Sequence, residues 1–118
     1  MNVTTAIVLA VTAAANIGIA AADLARARFV LANSAEVAVP ESWLPRLAVL
    51  KGAGGVGLLL WFAGVPVLPA LSAAGLVCFF IGAVTAHIRA HVLYNLAFPG
   101  AYLALAVATL ALILATHN

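Results

Sequence analysis

The chain has 118 residues, 67% of them hydrophobic and only 7% charged, with a mean hydropathy of +1.24. A water-soluble domain carries about a quarter of its residues as charges, so this composition excludes a soluble globule. The net charge of +2 rests on five basic and three acidic residues; that leaves no soluble basic surface and no nucleic-acid partner is expected.

A helix of about 20 apolar residues crosses a bilayer, so the length accommodates four spans and little else. The expected fold is all-α: an integral membrane four-helix bundle forming one domain over residues 1–118. The first span covers about 3–25 and ends in the polar cluster Asp23, Arg26 and Arg28. Met1-Asn2-Val3-Thr4-Thr5 lacks the basic start of a cleavable signal peptide, and the apolar run after it is too long for one, so this span is read as permanent. The long connection, 26–42, carries Asn33, Ser34, Glu36, Pro40 and Glu41. Pro40 biases the residue before it toward extended backbone, so Val37-Ala38-Val39-Pro40 is not expected to be helical. The second span covers about 43–64. Pro66 and Pro69 make a tight turn into the third, about 67–91. The fourth, about 94–115, contains Pro99-Gly100, and His117 is read as a tail residue.

With four spans, the connections after the first and third share one side of the membrane. Arg26, Arg28, Arg46, Lys51 and Arg89 all fall on or toward that side, and no Lys or Arg falls on the other. Positive residues stay cytoplasmic, which places both termini on the extracytoplasmic side of a multi-pass plasma-membrane protein.

Small residues are frequent in the spans. Gly52, Gly54, Gly55 and Gly57 bare the second span, Ala14, Gly18 and Ala22 recur at four-residue spacing on the first, and Gly75 and Gly82 sit two turns apart on the third. In lipid, helices associate through such faces because backbones can approach closely, and they also permit a homodimer. The Gly52–Gly57 run is not a phosphate-binding loop, since it lies in a span with no Lys-Ser/Thr pair after it. The single cysteine, Cys78, forms no internal disulfide and reads as an apolar filler.

Function is sought among the groups that lipid penalises. Lys51 lies about two turns inside the second span, where a lysine costs on the order of 3 kcal/mol on insertion scales. It either snorkels to the interface or finds an interior partner. Asn16 and Asp23 are seven residues apart on the first span and so share a helical face; packing through Ala14/Gly18 and Gly54/Gly55 would bring them to Lys51. His87 and His91, four apart, share a face at the end of the third span, with Arg89 between them and Tyr94 and Asn95 beyond. A metal is not expected, because the glutamate between the histidines and the third ligand of a zinc site are missing. Histidine can instead give or take a proton near neutral pH. The ionisable groups thus gather in the cytoplasmic half. There they are expected to line a pocket that the 26–42 connection, with Glu36 and Glu41, would cover.

Several runs resemble the DoxX-like family. They are Leu-Lys-Gly-Ala-Gly-Gly-Val-Gly-Leu-Leu-Leu at 50–60, Pro66-x-x-Pro69, and Phe-Ile-Gly-Ala-Val-Thr-Ala-His-Ile-Arg at 80–89, with Val39-Pro40 in the first connection and Pro99 in the fourth span. The resemblance covers nearly the whole chain. It implies four spans and a link to quinone-coupled sulfur oxidation or membrane redox complexes, with Lys51, His87 and Arg89 as a polar site of undefined chemistry. The two-cysteine machinery of a membrane thiol oxidoreductase is absent.

The favoured expectation is a small membrane enzyme performing isomerisation, ring opening or hydrolysis on a lipophilic substrate without a cofactor. Asp23, His87 and His91 would be its catalytic acids and bases; Asn16, Lys51, Arg89 and Asn95 would bind substrate. The alternative is a non-catalytic subunit anchoring a redox partner. A third reading, a small multidrug-type exporter, wants a carboxylate deep in the first span, and the residue there is Asn16, which does not titrate.

Overall fold

The computed structural model describes residues 2–116; the tail residue His117 lies outside that range. The fold is all-α. Helix α1 spans Val3–Leu24, α2 Arg28–Glu36, α3 Leu44–Leu59, α4 Leu68–Arg89 and α5 Ala97–Thr116, with single 3-10 turns at Glu41–Trp43 and Leu60–Ala63 flanking α3. Counting those turns with α3, four helical segments of 20 to 23 residues are long and apolar enough to cross a membrane.

The ends follow local chemistry. The Asn2 side chain caps α1 by accepting from the backbone N–H groups of Thr4 and Thr5 at 2.9 and 3.3 Å, satisfying donors that have no intrahelical partner. Gly64, at φ +80°, closes the α3 segment with the left-handed residue that glycine adopts without a Cβ penalty. The fourth span starts later than the sequence suggests, at Ala97 rather than Tyr94. Pro99 thereby falls in the first turn of α5, where its missing N–H removes no helical hydrogen bond. The long connection is also more ordered than expected: Arg28–Glu36 is the short helix α2. Pro40 restricts only Val39, so helix formation upstream is unhindered, and the break comes at Ala38, which takes φ +61°.

Helix α1 packs on α3 and α5, and α4 packs on the same two, so α1 and α4 stand diagonally across a square bundle. Leu9, Ala13, Leu58, Leu76, Phe80, Ala106 and Ile113 fill its centre. Thr12 and Thr109 hydroxyls meet at 2.8 Å and tie α1 to α5, and the Tyr102 hydroxyl donates to the Ala15 carbonyl at 3.2 Å.

The small residues divide into two sets. On α3, a Cβ at Gly55 would stand 2.8 Å from Ile17 Cγ1 and 3.0 Å from the Ala13 carbonyl oxygen, and one at Gly54 would stand 2.6 Å from Leu76 Cδ2. A Cβ at Gly57 would collide with the Ser72 hydroxyl. These positions admit α1 on one side and α4 on the other. Of the expected stripes on α1 and α4, a Cβ at Gly18, Gly75 or Gly82 meets nothing within 4 Å and Ala14 is exposed, while Ala22 packs against the cluster of Ile19, Val30 and Leu44. The α1 face that meets α3 is Ala13, Asn16, Ile17 and Ala20 instead, one position away from the stripe read in the sequence.

Gly55→Ala should therefore cost about 1–3 kcal/mol through forced overpacking against backbone, whereas Gly18→Ala should be neutral or slightly stabilising by helix propensity. Denaturant unfolding in detergent micelles separates the two, and equal effects would contradict the packing described.

Candidate functional site: an ion pair and an amide–imidazole cluster in one cavity

Asp23 sits in the last turn of α1 and Lys51 inside α3. The close α1–α3 approach at Gly52 and Gly55 brings the two side chains together, with Lys51 Nζ 2.5 Å from Asp23 Oδ2 and side-chain exposures of 11% and 3%. Asp23 Oδ2 accepts no hydrogen bond of good angle, so the contact is one of charges. The ammonium also lies 5.6 Å from the centre of the Phe79 ring, a cation–π arrangement. Of the two fates open to Lys51, the interior partner is the one observed. Asn16 shares the face but not the site. It is fully buried, donates to the Thr12 carbonyl at 2.9 Å, and packs at the α1–α3 seam beside Gly55.

His87 lies in the last turn of α4 and is 3% exposed. Its Nδ1 is 3.0 Å from the Ala83 carbonyl, which only accepts, so Nδ1 carries a hydrogen and donates. Nε2 is 3.2 Å from the Asn33 side-chain amide, and the Asn95 amide meets the same group at 3.0 Å. With Asn33 Oδ1 facing both, Nε2 must also donate and the ring is an imidazolium. With the Asn33 and Asn95 amides both turned over, Asn33 donates to the lone pair of a neutral ring and to Asn95 Oδ1. That second oxygen has no partner in the first arrangement. Amide orientation is a matter of hydrogen-bond assignment, so the cluster accommodates either protonation state by exchanging amide ends.

Asp23, Lys51, His87 and Asn95 line a single half-enclosed cavity of about 560 Å³. Asn33 and Ser34 of α2 also line it; the remaining walls are apolar, with Ile19, Leu44, Leu47, Phe79, Phe80 and Phe98 from the bundle and Phe29, Val30, Val37 and Val39 from α2 and the chain after it. The 26–42 connection therefore roofs the cavity, through its apolar side chains. Its carboxylates lie outside. Glu36 accepts from the Tyr94 hydroxyl at 2.5 Å, and Glu41 pairs with Arg26 at the surface. The hydrogen bond to Glu36, with some desolvation and the glutamate's charge, holds the Tyr94 phenol above its ordinary pKa. A second cleft of about 410 Å³, lined by Arg26, Glu41, Ser42 and Pro45, reaches Asp23 and Leu44 from the other side.

Besides Asn16, two expected residues are not brought to the site. Helix α4 stops at Arg89, and His91 follows in a left-handed conformation at φ +58°, which breaks the i, i+4 relation to His87. Both His91 and Arg89 are exposed and neither lines the cavity. Cys78 is likewise no buried filler: it is exposed and borders the cavity. Asn33 belongs to the site and did not stand out in the sequence, because only the fold of α2 turns it toward His87; its one signal is an amide inside an amphipathic stretch next to Val30 and Val37. Among the described residues no group of three or more His, Cys, Asp or Glu could hold a metal.

Four long apolar helices around a small polar centre define a small multi-pass membrane protein. The family model described as the DoxX-like family matches residues 7–109, so the chain belongs to that family. Comparison with curated proteins and with solved structures gave no match.

Removing one partner of a buried ion pair leaves an uncompensated charge, which costs about 3–5 kcal/mol. Asp23→Leu alone should lose stability on that scale, and Asp23→Leu with Lys51→Met should recover most of it. A double-mutant cycle in detergent unfolding reads the coupling; additive losses would show that the two charges do not meet.

Proposed function

We propose that this protein is an enzyme performing acid/base chemistry, isomerisation or ring opening, on a lipophilic substrate that enters from the bilayer. One observation carries the reading. Asp23, Lys51 and His87, the buried ionisable side chains among the described residues, all line the same predominantly apolar cavity. A helix anchor has no need of such an arrangement, and burying these groups beside an open volume is costly.

The roles divide by geometry. His87 is the proton carrier: Nδ1 stays on the Ala83 carbonyl, and Nε2, once it exchanges Asn33 for a substrate atom, gives or takes the proton. Lys51 holds a substrate oxygen and disperses charge on it. Asp23 holds the Lys51 ammonium in place, a positioning role rather than the proton transfer expected from sequence. The cleft beside Arg26, Glu41 and Ser42 gives the buried pair a route to water. The four spans act as one transmembrane unit. By the positive-inside bias of Arg26, Arg28, Arg46, Lys51 and Arg89, the cavity lies in the cytoplasmic half of the plasma membrane with both termini outside.

Proton chemistry at carbon leaves deuterium on the substrate when the solvent is D2O, and ring opening by water leaves oxygen-18 when the solvent is oxygen-18 water. The protein in lipid nanodiscs, supplied with a membrane lipid extract in D2O enriched in oxygen-18, should label a lipophilic species detectable by mass spectrometry. His87→Gln should abolish the label while the fold persists. Labelling that is absent, or equal in both proteins, would overturn the enzymatic reading in favour of a non-catalytic subunit.

A further inference from the structure

The nitrogen on which the proposed chemistry depends is shut off from the cavity it serves. A lipophile has a way in from the bilayer on the α3–α4 side, where Leu50, Cys78 and Gly82 line the chamber and are all exposed. The imidazole is less accessible. His87 is 3% exposed, and its Nε2 is taken by the Asn33 amide at 3.2 Å. Asn33 is held in turn by the Asn95 amide at 3.0 Å. Because Asn33 is carried by α2, the release of Nε2 depends on what holds α2 in place.

The attachments of α2 are few and concentrated on one neighbour. Beyond the two contacts of Asn33, Glu36 accepts from the Tyr94 hydroxyl, and the Phe29 ring meets Phe98 edge-on at 6.5 Å. These partners all belong to the end of α4, the connection after it, or the start of α5. On its inner side α2 contributes a single buried residue, Val30, to a small cluster with Ile19 and Leu44. A nine-residue helix is too short to persist by itself, so these contacts decide where it stands.

The backbone opposes them. Among the described residues three that are not glycine take the left-handed conformation: Arg26 at φ +55°, Ala38 at +61° and His91 at +58°. Arg26 and Ala38 bracket α2, and His91 opens the connection to which α2 is tied. A Cβ crowds the backbone in that conformation and disfavours it about tenfold, so such residues persist only where their surroundings hold them. Breaking the contacts between α2 and the α4–α5 connection lets the flanking residues relax.

We propose that α2 is a lid hinged at Arg26 and Ala38 and latched by Glu36–Tyr94 and Asn33–Asn95, and that its opening withdraws Asn33 from His87 Nε2 and makes the site reactive. This rests on the reading of His87 as the proton carrier and adds its regulation. A molecule may lie in the chamber while the lid is closed; acid/base chemistry on it is confined to the open fraction of the population.

The lid is tested without turnover, on the full chain in nanodiscs. In a Cys78→Ser background, Val30→Cys puts one thiol on the buried face of α2, and its modification by N-ethylmaleimide, followed by mass spectrometry, reads the open fraction. Tyr94→Phe removes a latch outside the cavity and should speed modification about fivefold, the scale of one hydrogen bond. Ala38→Gly should slow it about threefold, since glycine takes the left-handed conformation freely and this outweighs the freedom it gives the open lid. Val37→Cys, buried at the other end of the lid, should show the same two shifts. Leu76→Cys, in the bundle core, should react at a rate that neither change alters. Lid thiols indifferent to Tyr94→Phe would mean that only the Asn33 side chain moves, and the lid would fall. It would fall equally if the lid and Leu76→Cys rates rose together, because the whole bundle would then be loosening. Responsive lid thiols without isotopic labelling of any lipophile would leave the lid and overturn the enzymatic reading. Labelling with unresponsive thiols would do the reverse.

Discussion

A lysine and an aspartate buried between two membrane-spanning helices restrict the arrangement of everything around them. Each charge alone is strongly disfavoured there, and together they are tolerable only if the helices that carry them stay in contact and in register. In this chain that contact is the α1–α3 seam, where Gly52 and Gly55 let the α1 backbone close in and leave Nζ and Oδ2 2.5 Å apart. The pair is weak as a source of net stability, since desolvation offsets most of its attraction. Its effect is specificity: a slip of α1 against α3 by one turn would strand both charges. The same register sets Lys51 over Phe79 and so defines the inner end of the cavity.

The cavity exists because different faces of α4 meet different neighbours. Toward its start, Ser72 and Leu76 press against the glycines of α3. Toward its end Gly82, Ala83, Ala86 and His87 line an open volume that α2 covers. A bundle without hydrophobic drive between its helices closes where small residues allow it, and where the helices stand apart an apolar space remains. Into that space project the few side chains that lipid disfavours, fixed by Ala83, Asn33 and Asn95 at one end and by each other at the other. This juxtaposition of a predominantly apolar chamber with an imidazole underlies the functional proposal.

Much of this was legible in the sequence, for physical reasons that can be named. Lipid demands long uninterrupted apolar helices, so four spans and membership of the DoxX-like family follow from patterns spread over the whole chain. Asp23, Lys51 and His87 were visible because charge in a span is rare. Less visible were features that depend on which way a helix faces. Small residues signal close packing but not its side, so Ala14 and Gly18 misled while Ala13, Ile17 and Ala20 made the contact with α3. The spacing of His87 and His91 reads as one face only if the helix continues, and the left-handed turn at His91 removes it. Residues 37–40 are non-helical, as Pro40 implies, but Asn33 needed the short helix α2 before them, which in the sequence reads only as part of the connection.

Lys51 is the only lysine and Asp23 the only aspartate in the chain, which makes the central contact directly measurable. Protein grown with side-chain nitrogen-15 lysine and carboxyl carbon-13 aspartate, reconstituted in bilayers, carries a single labelled pair. Rotational-echo double resonance should show the strong dephasing of direct contact between the ammonium and the carboxylate. An absence of dephasing in the folded protein would mean that the charges lie apart in the headgroups, and the account of a shared polar cavity would be wrong.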